Sequence, residues 1–413
     1  MEIVRPAFAD HATPIISYGV PFPEAAARHA VNTFQARRVY LICSRSLAQK
    51  TSMMDELSLV FRTASVAVVR RRIGMKPHTL WSEVLEIVAE ARASETDLFL
   101  TVGGGTLTDG AKAVVLALAN NARTFDDLST LFQSHNDESN RALSSTSSHI
   151  PIISVPTTLS AAEYSSIAGA TNDLTHYKHV FPSPSPSLVI LDPQLAASTT
   201  PARIWLSTGI RALDHCVETF CAVKGTTEAS DSLALTALAN LVPGLLRCAR
   251  DADGADLDAR LSCQLGSVDA MAACSSEGVQ MGASHGIGHQ LGPLGVGHGD
   301  TSCILLPAVC KYNSLHGANI GKQGRLRDFL LGQPSVEDAL RSRGVSTRDA
   351  DFGDILDALI QELGMPRSLS EVGVSRDQLD EVAANSLRDP WCATNPVPLV
   401  DKAQVLEILE MVI

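Results

Sequence analysis

Two histidines stand four residues apart in Ser284-His285-Gly286-Ile287-Gly288-His289. On a helix that spacing puts both imidazoles on one face. A third, His298, follows in what reads as a glycine-rich loop, Gly295-Val296-Gly297-His298-Gly299, and a fourth, His215, stands beside Asp214 in an earlier segment of helical periodicity. Such imidazoles suit two kinds of chemistry. With open coordination positions they hold zinc or ferrous iron; without an ion they give or take a proton near neutral pH. A lone histidine of this kind is more often a hydrogen-bonded core residue, so it is the grouping that carries the reading.

Two further motifs belong to a different chemistry. In Thr101-Val102-Gly103-Gly104-Gly105-Thr106-Leu107-Thr108-Asp109-Gly110-Ala111-Lys112 an apolar run enters three glycines, and a helical pattern starts directly after. Glycines let a pyrophosphate approach the backbone, and a helix N-terminus offers free N–H groups and partial positive charge. This is neither Gly-x-Gly-x-x-Gly nor a P-loop, and a plain tight turn has the same composition. In Val155-Pro156-Thr157-Thr158-Leu159-Ser160-Ala161-Ala162-Glu163 two threonines end a strand-like run, where open α/β sheets bind ligands. Capping of the next helix is the alternative use.

The elements that must position these residues fall into two halves. Val39–Cys43, Ser65–Val69, Asp97–Val102, Ile150–Val155 and Ser187–Leu191 read as short apolar strands. Leu47–Phe61, Trp81–Ala93 and Thr108–Ala119 read as helices between them. Alternation of this kind predicts a mostly parallel sheet, and near-continuous apolar strands predict cover on both faces. Ser134–His149 reads as a serine-rich surface loop and Ser183–Ser187 as a rigid exposed turn. Beyond Asp192-Pro193 everything is helical in period. Thr200-Pro201 reads as an N-cap and first helical residue for Pro201–Val223. Ala229–Arg250, Leu257–Ser284, Thr301–Leu315, Val336–Arg343, Asp351–Leu363, Ser375–Asn385 and Asp401–Met411 follow. The expected organisation is α/β plus all-α: a Rossmann-like parallel-sheet domain over 1–195 and an all-helical domain over 196–413.

Bulk properties exclude several classes. The chain has 413 residues, 45% hydrophobic and 19% charged, with a formal net charge of −12. That balance argues against nucleic-acid and anionic-membrane partners, which need clustered lysine and arginine. No apolar run reaches the ~18 residues of a membrane span, and residues 1–10 lack a secretory pattern. The nine cysteines form no Cys-x-x-Cys pair, which favours reduced thiols and a cytoplasmic setting.

Taken together, the motifs resemble the iron-containing (group III) alcohol dehydrogenase superfamily over essentially the whole chain. Besides the glycine and threonine elements, the resemblance includes Gly209-x-x-Ala212-Leu213-x-His215-x-x-Glu218, His285-Gly286-x-x-His289-x-Leu291-Gly292, His298-Gly299, Leu305-Leu306-Pro307 and Asn395-Pro396. Within the superfamily the maleylacetate reductase branch looks most similar, for its spacing between the threonine pair and Glu163 and its frequent lack of an acidic metal ligand. The resemblance implies a dinucleotide, NADPH or NADH, with Gly103, Gly104, Gly105, Thr106 and Asp109 at its pyrophosphate and ribose, and Thr157 and Thr158 along the adenine and nicotinamide. It implies that His215, His285 and His298 fall at the histidine ligand positions for a divalent metal, iron or zinc, with His289 near the nicotinamide. It also implies a homodimer as the usual assembly.

Two departures bear on the metal. The family's aspartate position, four before His215, holds Arg211, and a cation there opposes a dication. The stretch from His289 to His298 is one residue shorter than usual. Asp214 stands next to His215 but points ~100° away on a helix, a poor substitute ligand. Arg211 then has three readings: it polarises a carbonyl, it clamps a substrate carboxylate, or it pairs within its helix with Asp214 or Glu218. After the first strand, Cys43-Ser44-Arg45-Ser46 has no acid to repel a 2′-phosphate, and Arg45 attracts one, which favours NADPH or dual use. The leading functional reading is an NAD(P)H-dependent reductase of a small anionic substrate, an unsaturated or oxo dicarboxylate or another carbonyl. Arg211, His215, His285, His289 and His298 are its catalytic candidates. The alternatives are a redox-neutral isomerase or lyase on the same fold, a metal-dependent short-chain alcohol dehydrogenase, and a non-catalytic ligand-binding relative.

Overall fold

The computed structural model describes residues 1–76, 79–133 and 150–413. The expected loop Ser134–His149 lies outside them. The chain forms two compact units, Met1–Thr199 and Thr200–Ile413.

Among the described residues of the first unit nine strands are formed: β1 (Ile3–Pro6), β2 (Ile15–Tyr18), β3 (Arg38–Cys43), β4 (Ala67–Ile73), β5 (Leu98–Gly103), β6 (Ile152–Pro156), β7 (Ile167–Thr171), β8 (Lys178–Pro182) and β9 (Leu188–Ile190). Seven make one sheet in the order β1-β2-β9-β6-β5-β3-β4, parallel throughout except for β1 against β2. The helices are α1 (Phe22–Asn32), α2 (Arg45–Lys50), α3 (Met53–Thr63), α4 (Trp81–Ala93), α5 (Gly105–Ala119), α6 (Phe125–Gln133) and α7 (Pro193–Thr199). Both faces of the central strands are apolar, and the pleat sorts them. Val39, Leu41 and Cys43 of β3 join a core with Phe22, Leu57 and Phe61, while Tyr40 and Ile42 join another with Trp81, Ile87 and Val114.

The departures from expectation have local causes. Leu47–Phe61 is two helices, broken at Thr51-Ser52. The second strand starts later and runs through Arg70-Arg71-Arg72. It is an edge strand, so these arginines keep access to solvent and to carboxylates: Arg71 to Asp55 at 2.7 Å, Arg72 to Glu86 at 2.9 Å. Ser183–Ser187 is no exposed turn: Ser183 is 8% exposed and Pro186 is buried. The hairpin β7–β8 had no apolar run to announce it, because Ala168-Gly169-Ala170 contributes small residues.

The second unit is helical: α8 (Ala202–Cys221), α9 (Glu228–Arg250), α10 (Leu257–Cys274), α11 (Ala283–Leu291), α12 (His298–Leu315), α13 (Ile320–Leu331), α14 (Pro334–Ser342), α15 (Phe352–Glu362), α16 (Leu379–Ser386), α17 (Pro390–Thr394) and α18 (Lys402–Glu410). α8 packs against α9, α10 and α12, and α11 packs against α12, α16 and α17. Three corrections apply. Pro201 is itself the N-cap of α8 and Ala202 its first residue. The expected helix Leu257–Ser284 stops at Cys274, and Ser284 opens a separate helix, α11. Finally, α9 does pass the length and composition test for a membrane span; half of its apolar window is buried, and it lies against α8 and α10.

Gly103 sits at the end of β5 with φ +153°, and a Cβ there would stand 2.7 Å from Leu107 Cδ1 and 2.9 Å from Ser44 Cβ. Gly103→Ala is therefore expected to destabilise the protein by about 1–3 kcal/mol in urea unfolding. Gly104→Ala serves as control, since its nearest neighbour is Thr158 Cγ2 at 3.5 Å and it should leave the midpoint nearly unchanged.

Candidate active site

Residues with chemistry gather in two places, one in each unit. In the first unit, β3, β5 and β6 end level with one another: Cys43 pairs with Val102, and Gly103 with Pro156. From β3 the chain moves to β4 on one side and then returns to β5 on the other. The connections part there, and such a switch point opens a crevice at the carboxyl ends of the strands. Its walls are the predicted residues. The Ser44 N–H donates to the Val102 carbonyl at 2.9 Å, and the Thr157 N–H to the Gly103 carbonyl at 3.0 Å. Gly104 caps α5, and Gly105 and the exposed Thr106 begin it. Thr158 Oγ1 lies 3.0 Å from Ser160 Oγ, and Arg45 is exposed at the start of α2.

The rest of the glycine motif acts as a strut. Lys112 is fully buried, and its ammonium donates to the carbonyls of Ala162 at 2.5 Å and Ile167 at 3.0 Å. Burial holds its pKa below the ordinary range, against the pull of Asp109 and Glu163. The Thr108 hydroxyl donates to Glu163 at 3.0 Å. Asp109 lies 3.4 Å from the Lys112 ammonium and keeps 31% of its side chain exposed.

In the second unit α8 and α11 meet through one carboxylate. Glu218 Oε2 accepts from the Gly282 N–H at 3.0 Å and from His285 Nδ1 at 2.7 Å, and Oε1 accepts from the Ser284 N–H at 2.8 Å. A free helix N-terminus and an imidazole are thus satisfied by one side chain on a neighbouring helix. Asp214 Oδ2 accepts from the hydroxyls of Ser302 at 2.6 Å and Ser284 at 2.9 Å, and lies 3.4 Å from His285 Nδ1. Asp214 was expected to point away from its neighbour His215; the histidine it faces is His285, which arrives on another helix. Arg211 Nη1 donates to Ser302 Oγ at 3.2 Å and lies 3.9 Å from Asp214 Oδ2, so its partner within the helix is Asp214.

The rings of His215 and His285 are 4.9 Å apart. Burial, followed by their own proximity to Arg211 and other imidazoles, holds both well below the usual histidine pKa, so both are neutral in the folded protein. Burial pushes the carboxyls of Asp214 and Glu218 up. Among the described residues, His215 Nδ1, His285 Nε2 and Asp214 Oδ1 are buried without a hydrogen-bond partner, an arrangement that calls for a bound polar group. His289 sits one turn on, about a third exposed, with Nδ1 2.8 Å from Asp389 Oδ2. His298 is the exposed first residue of α12 rather than part of a loop, and its ring is 6.5 Å from that of His289. The indole of Trp391 touches both His285, at 5.6 Å, and His289, at 5.0 Å.

The site therefore adds residues to which the sequence reading gave no role: Ser284, Ser302, Asp389 and Trp391. Glu218 was read as a motif residue and a candidate partner of Arg211, not as the acceptor that closes α11, and Asp389-Pro390 carried the signal of a capping acid before a first-turn proline.

Comparison with known proteins agrees with this architecture. Residues 22–193 match the family described as iron-containing alcohol dehydrogenase, and residues 205–413 match its C-terminal part. Dehydrogenase FUM7 of Gibberella moniliformis is 40% identical, with 97% of this chain and 96% of that protein covered. Dehydrogenase ALT3 of Alternaria alternata is 37% identical, covering 91% and 99%. An alcohol dehydrogenase from Oenococcus oeni shares the fold with a TM-score of 0.79 at 23% identity over 96% of this chain and 98% of that one. Maleylacetate reductase from Agrobacterium tumefaciens does so with a TM-score of 0.71 at 21% identity, covering 100% and 97%. The chain belongs to the iron-containing alcohol dehydrogenase family and is an oxidoreductase.

The family's name implies an ion, and the residues present do not fit one. The acid that would meet a dication is Arg211, a buried guanidinium. Among the described residues, Asp214, Glu218 and His285 bring ligand-type atoms within 4.8 Å of one another. Glu218 is committed to three N–H donors, Asp214 Oδ2 to two hydroxyls and His285 Nδ1 to Glu218, which leaves Asp214 Oδ1 and His285 Nε2, with a guanidinium at the position of the missing acid.

Two outcomes are expected. Glu218→Gln leaves one carbonyl oxygen for three buried donors, and unfolding free energy should fall by about 2–4 kcal/mol in urea. A neutral buried His215 makes the unfolded chain, with its ordinary pKa near ~6.5, bind more protons in acid. That contribution is lost as pH falls below ~6.5, so the stability difference between wild type and His215→Gln should move in favour of the variant from pH ~7.5 to ~5.

Proposed function

We propose that this enzyme is an NAD(P)H-dependent reductase of a small anionic carbonyl or oxo-dicarboxylate substrate, working without a metal and with Arg211 in the electrostatic role. One observation carries the reading. The Arg211 guanidinium is 12% exposed with, among the described residues, one N–H hydrogen-bonded, and it stands in a cluster whose His215 Nδ1 and His285 Nε2 have no partner. A planar fork of donors beside neutral imidazoles suits a carboxylate, or the oxygen of a carbonyl gaining negative charge.

The switch-point crevice lined by Ser44, Gly103, Gly104, Gly105, Thr106, Asp109, Thr157 and Thr158 supports dinucleotide binding, with the pyrophosphate at the N-terminus of α5. Arg45, exposed after β3 with no acid beside it in Ser44-Arg45-Ser46, supports use of NADPH. When bound, the reduced nicotinamide would supply a hydride to the carbonyl carbon. A histidine of the cluster, protonated on both nitrogens, would give a proton to the oxygen that gains the electron pair, and the imidazole left behind would be reprotonated from solvent.

Mixing the protein with NADPH or NADH and an oxo dicarboxylate such as maleylacetate should consume the reduced nicotinamide. Arg211→Ala should lower kcat/KM for the dicarboxylate by ~100-fold or more, as loss of a buried charge partner does, and for an uncharged aldehyde by far less. Absence of dinucleotide binding would sink the proposal. Near-stoichiometric iron or zinc in the purified protein would overturn the part assigned to Arg211.

A further inference from the structure

Helix α11 carries two histidine–carboxylate pairs of the same build. His285 Nδ1 is held by Glu218 from α8, and His289 Nδ1 by Asp389 from the cap of α17. Their surroundings differ. His285 is 1% exposed, whereas the His289 side chain is 36% exposed and Asp389 11%. Of the two, His289 has the path to solvent that a renewable proton donor needs. We propose that Asp389 is a positioning residue of the active site: it holds the Nδ1 hydrogen of the His289 ring, so that a ring carrying hydrogen on both nitrogens gives the Nε2 proton to substrate, and the Nδ1–H imidazole left behind recovers one at Nε2 from water.

This rests on the reductase reading above and goes beyond it by assigning the proton step to one nitrogen and naming the residue that orients it. The geometry is built for the purpose. Asp389 Oδ2 faces His289 Nδ1 at 2.8 Å, while Oδ1 accepts from the Trp391 N–H at 3.0 Å, so both oxygens are committed and the carboxylate cannot rotate freely. Trp391 then lies against the His289 ring at 5.0 Å and 38°, limiting its swing. A carboxylate only accepts, so the hydrogen of that bond belongs to Nδ1. Gly286 makes the approach possible. A Cβ at that position would stand 2.7 Å from Cys392 Sγ, 3.0 Å from Cys392 N and 3.4 Å from Asp389 Oδ1. The glycine after the first histidine of the motif thus has a physical task, which is to let the capping turn of α17 reach the second histidine.

Asp389→Asn discriminates sharply. The asparagine carbonyl can keep the Trp391 cap, which leaves its NH2 toward His289. A donor there demands an acceptor, so Nδ1 must give up its hydrogen and Nε2 take it. Two readouts are compared on the full-length protein. Nitrogen-15 histidine NMR is expected to show His289 as the Nδ1–H tautomer in wild type and the Nε2–H tautomer in D389N. In steady-state reduction, D389N is expected to lower kcat by ~100-fold or more with KM within about threefold, the scale for a histidine forced into the wrong tautomer. G286A should lower kcat in the same direction. A merely structural role would move stability and KM but not the tautomer. An Nε2–H tautomer in wild type overturns the proposal, as does a D389N protein with wild-type kcat. If wild type reduces no carbonyl, the reductase reading fails, and the tautomer measurement still decides whether Asp389 orients His289.

Discussion

The site in the helical unit depends on one buried carboxylate. Glu218, near the end of α8, closes the N-terminus of α11 and holds His285 at the same time. A helix N-terminus must find acceptors for its free N–H groups, and water is not available where Gly282 and Ser284 are buried. An acid from α8 is a strong solution, because its charge also meets the positive end of the helix dipole. The consequence is mechanical. The same bond that satisfies α11 sets its depth and rotation against α8, and so brings His285 to His215 and within reach of Arg211 and Asp214.

The nucleotide-type unit uses a comparable device with the charge reversed. There a buried ammonium, Lys112, holds two carbonyls of the segment that follows the threonine pair. The glycine turn and the threonine turn are therefore fixed to one another through α5 as well as by the hydrogen bond from the Thr157 N–H to the Gly103 carbonyl. In both units the groups with exposed or unpartnered polar atoms are held by neighbours that have none to spare, which is how a rigid scaffold leaves a few groups available.

Much of this was legible in the chain. α4 was bounded as Trp81–Ala93 from its periodicity alone, and the buried strands β3 and β5 from their apolar runs. Period and composition speak for elements that face a core. They were silent on β7, whose residues are small, and they ended β4 too early, before its arginines at a sheet edge. The histidines were found because spacing on one helix is local. Their partners were not, because Glu218 lies 67 residues from His285 and Asp389 lies 100 from His289. No periodicity encodes a contact of that kind. His298 was misplaced for a local reason: glycines on both sides read as a loop, although a glycine N-cap at 297 is a normal way to begin a helix.

The exchange of an acid for Arg211 looks at first like the loss of a site, but the charges around it tell otherwise. A buried guanidinium with no anion near it would be costly. Here an acid stands one turn further along the same helix, at 214, and it is anchored by Ser302 and Ser284. Ser302 also receives Arg211, so cation, hydroxyl and carboxylate form a chain. Position 211 carries a cation and position 214 an acid whose Oδ2 stands 3.4 Å from His285 Nδ1. On the function proposed above, the guanidinium would meet a ligand that brings its own negative charge or develops one on an oxygen, and Asp214 would hold the guanidinium in place until it does.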